Sequence, residues 1–274
     1  MMKKSEIVKE IEKFGLKAEW QNINKNGVYH TGIVIMARGG QVAPIIYTDG
    51  LVNDWDSAET AVQKILSEYR KVEHVSMDAV RITSREFILE HITIAVQKNG
   101  VEKIVKRESG FDGIEAYLIV VVYDEGEDGS MSMKVTADLL MKSHISESEA
   151  WETAEKNLHE SIKIRSMSQV MADIMGEEFL ELCGVDDSMY VISTKSNVKG
   201  AAAVLDKVTM KKFAEEHHTR RIAVLPSSIH EMLLIPNTDG LDEKNLSYMV
   251  EDVNTSEVIP EERLTDRAYF LDFE

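Results

Sequence analysis

Two spacings of apolar residues alternate along this chain, one helical and one extended, and the changes between them predict its elements. Over 5–14, Ile7, Val8, Ile11 and Phe14 recur on one helix face, and Gly15 stops the run. Extended segments follow over 17–24, 28–37 and 42–47, joined by the hairpin signal Asn26-Gly27 and by Gly39-Gly40. The two glycines are read as a turn and not as a phosphate cradle, because Val42-Ala43-Pro44 continues as strand where a helix N-terminus would be needed. Ser57 caps a helix to about Lys71 with Ala61, Ile65 and Leu66 inward and Tyr69 alongside. Ser84 caps another whose face carries Phe87, Ile88, His91, Ile92 and Ala95. His91 is then a core histidine satisfied by one hydrogen bond, since neither Phe87 nor Ala95 offers a second metal ligand one turn away.

The run Tyr117 to Val122 is apolar throughout, so the strand 116–123 is expected at the centre of a sheet, buried on both faces. Glu125 to Ser130 reads as a hairpin loop into a strand over 131–135; its acidic residues lack the alternate spacing and closing glutamate of a calcium loop. Thr136 opens a short helix, Ser146 with Glu149 forms a capping-box pattern for a helix to about His159, and 166–175 is helical. Met167, Met171 and Met175 stand at i+4 steps there and predict a packed core face. Beyond Asp187 the pattern reads strand 189–193, turn 195–199, strand 200–205, helix 209–218, strands 222–225 and 232–235, helix 242–253 and strand 268–273.

Strand-strand-helix therefore recurs from about Val28, Ala116 and Met189, without repetition of residue identity. The predicted fold is α+β, with largely antiparallel sheets built from these units and helices packed on them. Two lobes are expected, 1–183 and 184–274, with Gly184 to Ser188 as connector.

Composition narrows the function. Against 48 acidic residues stand 31 lysines and arginines, a formal charge of −17, and no basic stripe interrupts it. Nucleic acid and anionic membrane surfaces are thereby disfavoured as partners. A single cysteine, Cys183, excludes an intramolecular disulfide and a cysteine-based zinc site, and fits a reducing compartment. The charged pattern after Met1-Met2-Lys3-Lys4 is no secretory signal, and the apolar runs are too short to span a bilayer, so a cytoplasmic protein is expected.

Candidate chemistry gathers in Ile222 to Pro236, where Pro226-Ser227-Ser228-Ile229-His230-Glu231 separates two apolar strands. Proline in mid-strand forfeits a ladder hydrogen bond, so the chain must turn there and place Ser227, Ser228 and His230 at a sheet end. A serine, a histidine and an acid could make a hydrolase or transferase site. If 228–231 were extended, however, Ser228 and His230 would share one face while Glu231 faced the other, and Glu231 could not orient His230. No phosphate loop, dinucleotide fingerprint, nucleophile elbow or metalloprotease helix occurs, so no cofactor and no metal are predicted.

Several stretches carry a resemblance: Leu225 to Glu231, Val42 to Tyr47, Asp128-Gly129-Ser130 with Val135-Thr136 and Ile145-Ser146, and Val253-Asn254 with Val258 to Glu262. Over almost the whole chain they resemble the family of domain of unknown function 5688, found in gut clostridia and related Firmicutes. The chain departs from that resemblance at Glu108 to Glu115, where a proline and a histidine are expected and Glu108-Ser109-Gly110-Phe111-Asp112 stands. The resemblance implies a fold and a bacterial origin but supplies no catalytic residue. The expected function is a non-enzymatic module binding a protein or small molecule, the alternative a hydrolase or transferase at Ser227 to Glu231.

Overall fold

The computed structural model describes residues 4–36, 43–72, 79–124, 130–176 and 188–273, which fall in two compact units, Met1–Ser84 and Arg85–Glu274. The fold is α+β, and every strand pairing among the described residues is antiparallel.

In the first unit β1 (Lys17–Lys25), β2 (Val28–Met36) and β3 (Ile45–Tyr47) form a three-stranded meander in chain order. Asn26 and Gly27 both take positive φ, 51° and 87°, the backbone a two-residue primed turn demands, which is why Asn-Gly stands there. Helices α1 (Lys4–Glu12) and α2 (Ala58–Val72) supply Ile7, Ile11, Ala61, Ile65 and Leu66 to a core shared with Ile33, Ile35 and Ile46. Ser57 caps α2 by accepting from the Thr60 amide at 3.1 Å, and the short helix α3 (Ala79–Ile82) comes last in this unit. The turn expected at Gly39-Gly40 lies outside the described residues, as does the loop 125–129.

In the second unit α4 (Arg85–His91) runs directly into β4 (Ile92–Lys98), so the helix expected to continue through Ala95 stops at His91. Ile92, Ile94 and Val96 are β-branched residues at alternate positions, and they satisfy a strand with one buried face as well as they satisfy a helix. Strand β6 (Ile114–Asp124) pairs with β4, β5 (Lys106–Glu108) and β7 (Ser130–Lys134). Its residues 114 and 116–120 are all buried, as the continuous apolar run required.

The register gives this sheet two distinct faces. Ile92, Ile94, Val96, Ala116, Leu118 and Val120 form one, wholly buried. Thr93, Ala95, Gln97, Tyr117, Ile119 and Val121 form the other, with Ser132 and Lys134 in the same rows on β7.

Helices α5 (Ala137–Lys142) and α6 (Glu147–Ser161) start at Thr136 and Ser146, whose hydroxyls accept from the Leu139 and Glu149 amides. The expected reciprocal bond from Glu149 is replaced by an ion pair with Arg85. An unanticipated edge strand, β8 (Ile162–Ser166), follows, then α7 (Met167–Met175) with a capping box of Ser166 and Gln169. Met175 is 57% exposed and Ser168 is the buried residue of α7, so the methionine stripe is not the core face its spacing suggested.

The remaining sheet has the order β12-β10-β11-β9-β8, with β9 (Tyr190–Thr194), β10 (Arg221–Pro226), β11 (Met232–Ile235) and β12 (Tyr269–Asp272). Strands on both sides of residue 183 thus share one sheet, through the pairing of β8 with β9. The strand expected over 200–205 is instead a buried 3-10 helix, Gly200–Leu205, leading into α8 (Lys207–Glu216). Its run of alanines makes it narrow enough to pack between β9 and β4, and the third strand-strand-helix unit is therefore not formed. Helix α9 (Glu243–Ser256), capped by Asp242, places Leu246 and Val250 against Ala223 and Leu225 of β10.

Asp206 caps α8, and its carboxyl titrates below the ordinary range. Burial pushes it up most strongly, but bonds from the Thr209 amide and hydroxyl and from His159 together outweigh that push. On the second face of β6, Glu115 accepts from Gln97 at 2.8 Å and from Lys106 at 2.9 Å, while Lys134 pairs with Glu102. Burial, reinforced by Glu102 and Glu115, raises the Tyr117 phenol far above its usual value.

Candidate functional site

The segment 227–231 is the loop of a hairpin whose register runs from Ala223↔Ile235 to Pro226↔Met232. The loop is closed by the Ser228 amide on the Glu231 carbonyl at 3.2 Å. Ser228 Oγ accepts from the His230 amide two residues on, 3.0 Å, the local hydroxyl turn that a serine after a strand-ending proline can make. Ser227 donates to Glu231 Oε1 at 3.4 Å, so Glu231 turns to the serine and not to the imidazole.

Three elements brace this loop from outside. The Ile229 amide donates to the Glu262 carbonyl at 2.8 Å, Ala201 donates to the Ile229 carbonyl, and Ser193 Oγ donates to the His230 carbonyl at 2.7 Å. Gly200 lies in the contact. A Cβ there would stand 2.5 Å from the Thr194 amide nitrogen and 2.8 Å from the His230 carbonyl oxygen, so only glycine lets the 3-10 helix approach this closely.

The His230 ring is engaged at both nitrogens. Nδ1 accepts from the Lys199 amide at 3.1 Å. An amide can only donate, so the neutral ring carries its proton on Nε2, which faces Glu262 Oε1 at 3.3 Å. Glu262 is the acid that sequence reasoning could not nominate; it lies 32 residues away, in a stretch that carried the family resemblance. The candidate residues Ser227, Ser228, His230 and Glu231 are thus brought together, but no ring nitrogen of His230 is in contact with either serine. A serine nucleophile needs that contact to lose its proton.

Directly beside this knot lies a cavity of about 290 Å³, entirely within the second unit. Its apolar wall includes Ile119, Val121 and Val198. The turn 194–199 closes it with Thr194, Lys195, Ser196 and Lys199. Lys199 links knot and cavity: its backbone, held at φ 51° and ψ 29°, bonds His230, while its Nζ donates to Ser132 Oγ at 2.7 Å.

His91 also lines the cavity. Its Nδ1 bonds the Phe87 carbonyl at 2.9 Å and its ring stacks on Phe87, the single-bond environment expected of it. The bonded Nδ1 is the protonated one, which leaves Nε2 as an acceptor. Asn157 spends its amide protons on the Leu89 and Ile92 carbonyls.

Sequence reasoning missed Ser132 and Lys199, which are 67 residues apart and meet only because β7 and the 194–199 turn belong to different sheets. Among the described residues no group of three or more His, Cys, Asp or Glu side chains converges on a metal-sized space, and no helix is long and apolar enough to cross a membrane.

Compared with known proteins, residues 3–272 match the model of the family of unknown function DUF5688. No curated protein and no solved structure matches the chain.

Proposed function

We propose that this chain, which belongs to the family of unknown function DUF5688, is a binding protein whose second unit holds a small molecule in the cavity beneath the 194–199 turn. The observation that carries this reading is the cavity itself. It joins an apolar wall to a few convergent polar groups, and its size stands at the lower end of the roughly 300–1,000 Å³ usual for ligand sites. A cytoplasmic setting belongs to the same proposal and rests on the single cysteine. Catalysis at Ser228 is disfavoured because His230 spends both nitrogens on Lys199 and Glu262.

A thermal-shift screen of the full chain against small metabolites tests the reading, with Val121→Trp, which fills the cavity, as the control. Ligands are expected to raise the melting temperature of the natural chain and not of the variant. Equal shifts in both would refute the site. Stoichiometric acylation of Ser132 by p-nitrophenyl acetate, lost in Lys199→Met, would replace binding by a serine-lysine nucleophile.

A further inference from the structure

Resting on the binding reading above, we infer that the cavity takes a small neutral primary amide with a short aliphatic tail, its N–H protons received by His91 Nε2 and Asn157 Oδ1. Both side chains line the cavity, and the backbone beside them fixes each as an acceptor.

The fixing is done by carbonyls of one short stretch. A carbonyl can only accept, so the Phe87 oxygen, 2.9 Å from His91 Nδ1, keeps the proton of the neutral ring on that nitrogen. Phe87 also covers one face of the imidazole, ring centre to ring centre 4.1 Å. What remains for the cavity is the opposite edge, which carries the Nε2 lone pair. Asn157 is oriented in the same way. Its Nδ2 donates to the Leu89 and Ile92 carbonyls at 3.1 and 2.8 Å, and Oδ1 is the end left over. Those two carbonyls flank His91, so both acceptors belong to one corner of the cavity. Among the described residues no group donates to either atom.

The head must therefore bring protons of its own. A carboxylate would set its lone pairs against theirs. An ammonium would give up its hydration for two neutral acceptors, because Glu90, the acid in the lining, is 76% exposed and stays in water. A primary amide offers two N–H donors and no charge, and hydroxyls of the lining, Thr93 and Ser130 among them, can serve its carbonyl.

The tail is set by the walls. Ile119, Val121 and Val198 offer branched aliphatic surface, and the lining contains no Phe, Tyr or Trp on which a sugar or base could stack. A volume of about 290 Å³ admits a chain of a few carbons and excludes a nucleotide.

Isothermal titration of the full chain with hexanamide, and with hexanoate, hexylamine and N,N-dimethylhexanamide for comparison, tests the assignment. Hexanamide is expected to bind saturably, and each of the others roughly tenfold or more weakly, because a buried acceptor is left unmet or a charge is desolvated. His91→Phe keeps a ring on Phe87 and removes Nε2. It is expected to weaken hexanamide roughly tenfold and to leave N,N-dimethylhexanamide unchanged, a split that a loosened fold would not produce. Should that variant melt early, the four ligands on the natural chain decide alone. Hexanoate or N,N-dimethylhexanamide binding as tightly as hexanamide overturns the amide head and leaves the cavity-binding reading standing, and hexylamine binding more tightly overturns its neutrality. Equal weakening of both amides in a stably folded His91→Phe, or no weakening of either, removes His91 from the head site. Absence of saturable binding by every probe overturns both the amide and the cavity reading.

Discussion

His230→Ala tests whether the 227–231 loop is a brace. The substitution deletes the acceptor of the Lys199 amide and the partner of Glu262. Leaving a half-buried amide without an acceptor costs about 1–2 kcal/mol. The His230 and Glu262 side chains are 31% and 35% exposed, so solvent competition holds their hydrogen bond to less than about 1 kcal/mol. Together the loss is about 1–3 kcal/mol, which lowers the melting temperature of a unit of this size by about 2–12 °C. Glu262→Gln keeps an oxygen to accept from Nε2 and should cost less than about 1 kcal/mol. Differential scanning calorimetry of the two variants beside the natural chain reads both numbers. Catalytic groups are often held at the expense of stability, and their removal can be neutral or stabilising. A melting temperature unchanged or raised in His230→Ala would therefore refute the brace and return 227–231 to candidacy as an active site.

Three further outcomes follow from the packing. Gly200→Ala places a methyl against the Thr194 and His230 backbone, which no rotamer change can relieve, and should destabilise by more than about 3 kcal/mol in urea titrations; a smaller effect would show that the 3-10 helix can move away. Val120→Asp puts a charge into a position that is 0% exposed on the central strand, at a cost of several kcal/mol against a total of about 5–15, so soluble folded protein at natural yield would contradict the burial of β6. The Asp206 carboxyl has a folded pKa below its unfolded one, so its stabilisation is present above the unfolded value of about 3.9 and is lost as pH falls through the folded value. Asp206→Asn can still cap α8 but does not titrate. Its melting-temperature deficit at neutral pH should therefore shrink as the medium is taken below about pH 4, and a deficit independent of pH would remove the carboxylate from the account.

Local chemistry was enough to place much of this chain. Asn26-Gly27 required positive φ twice, Ser57, Thr136 and Ser146 capped helices, and the run through Val120 could be buried only in a sheet with both faces covered. These features depend on residues within a few positions of one another, so the sequence carries them whole. Period alone misassigned Ile92 to Ala95 and 200–205, because short β-branched or alanine-rich runs satisfy two conformations and only the neighbouring elements choose between them. The hairpin at Pro226 was legible, but its partners were not. Glu262 reaches His230 across 32 residues, and Lys199 reaches Ser132 across 67. Such contacts are set by the order of strands in two sheets and by the close approach of Gly200 to β9 and the 227–231 loop. No spacing along the chain encodes that order, so the brace around His230 and the cavity beside it were decided by tertiary structure alone.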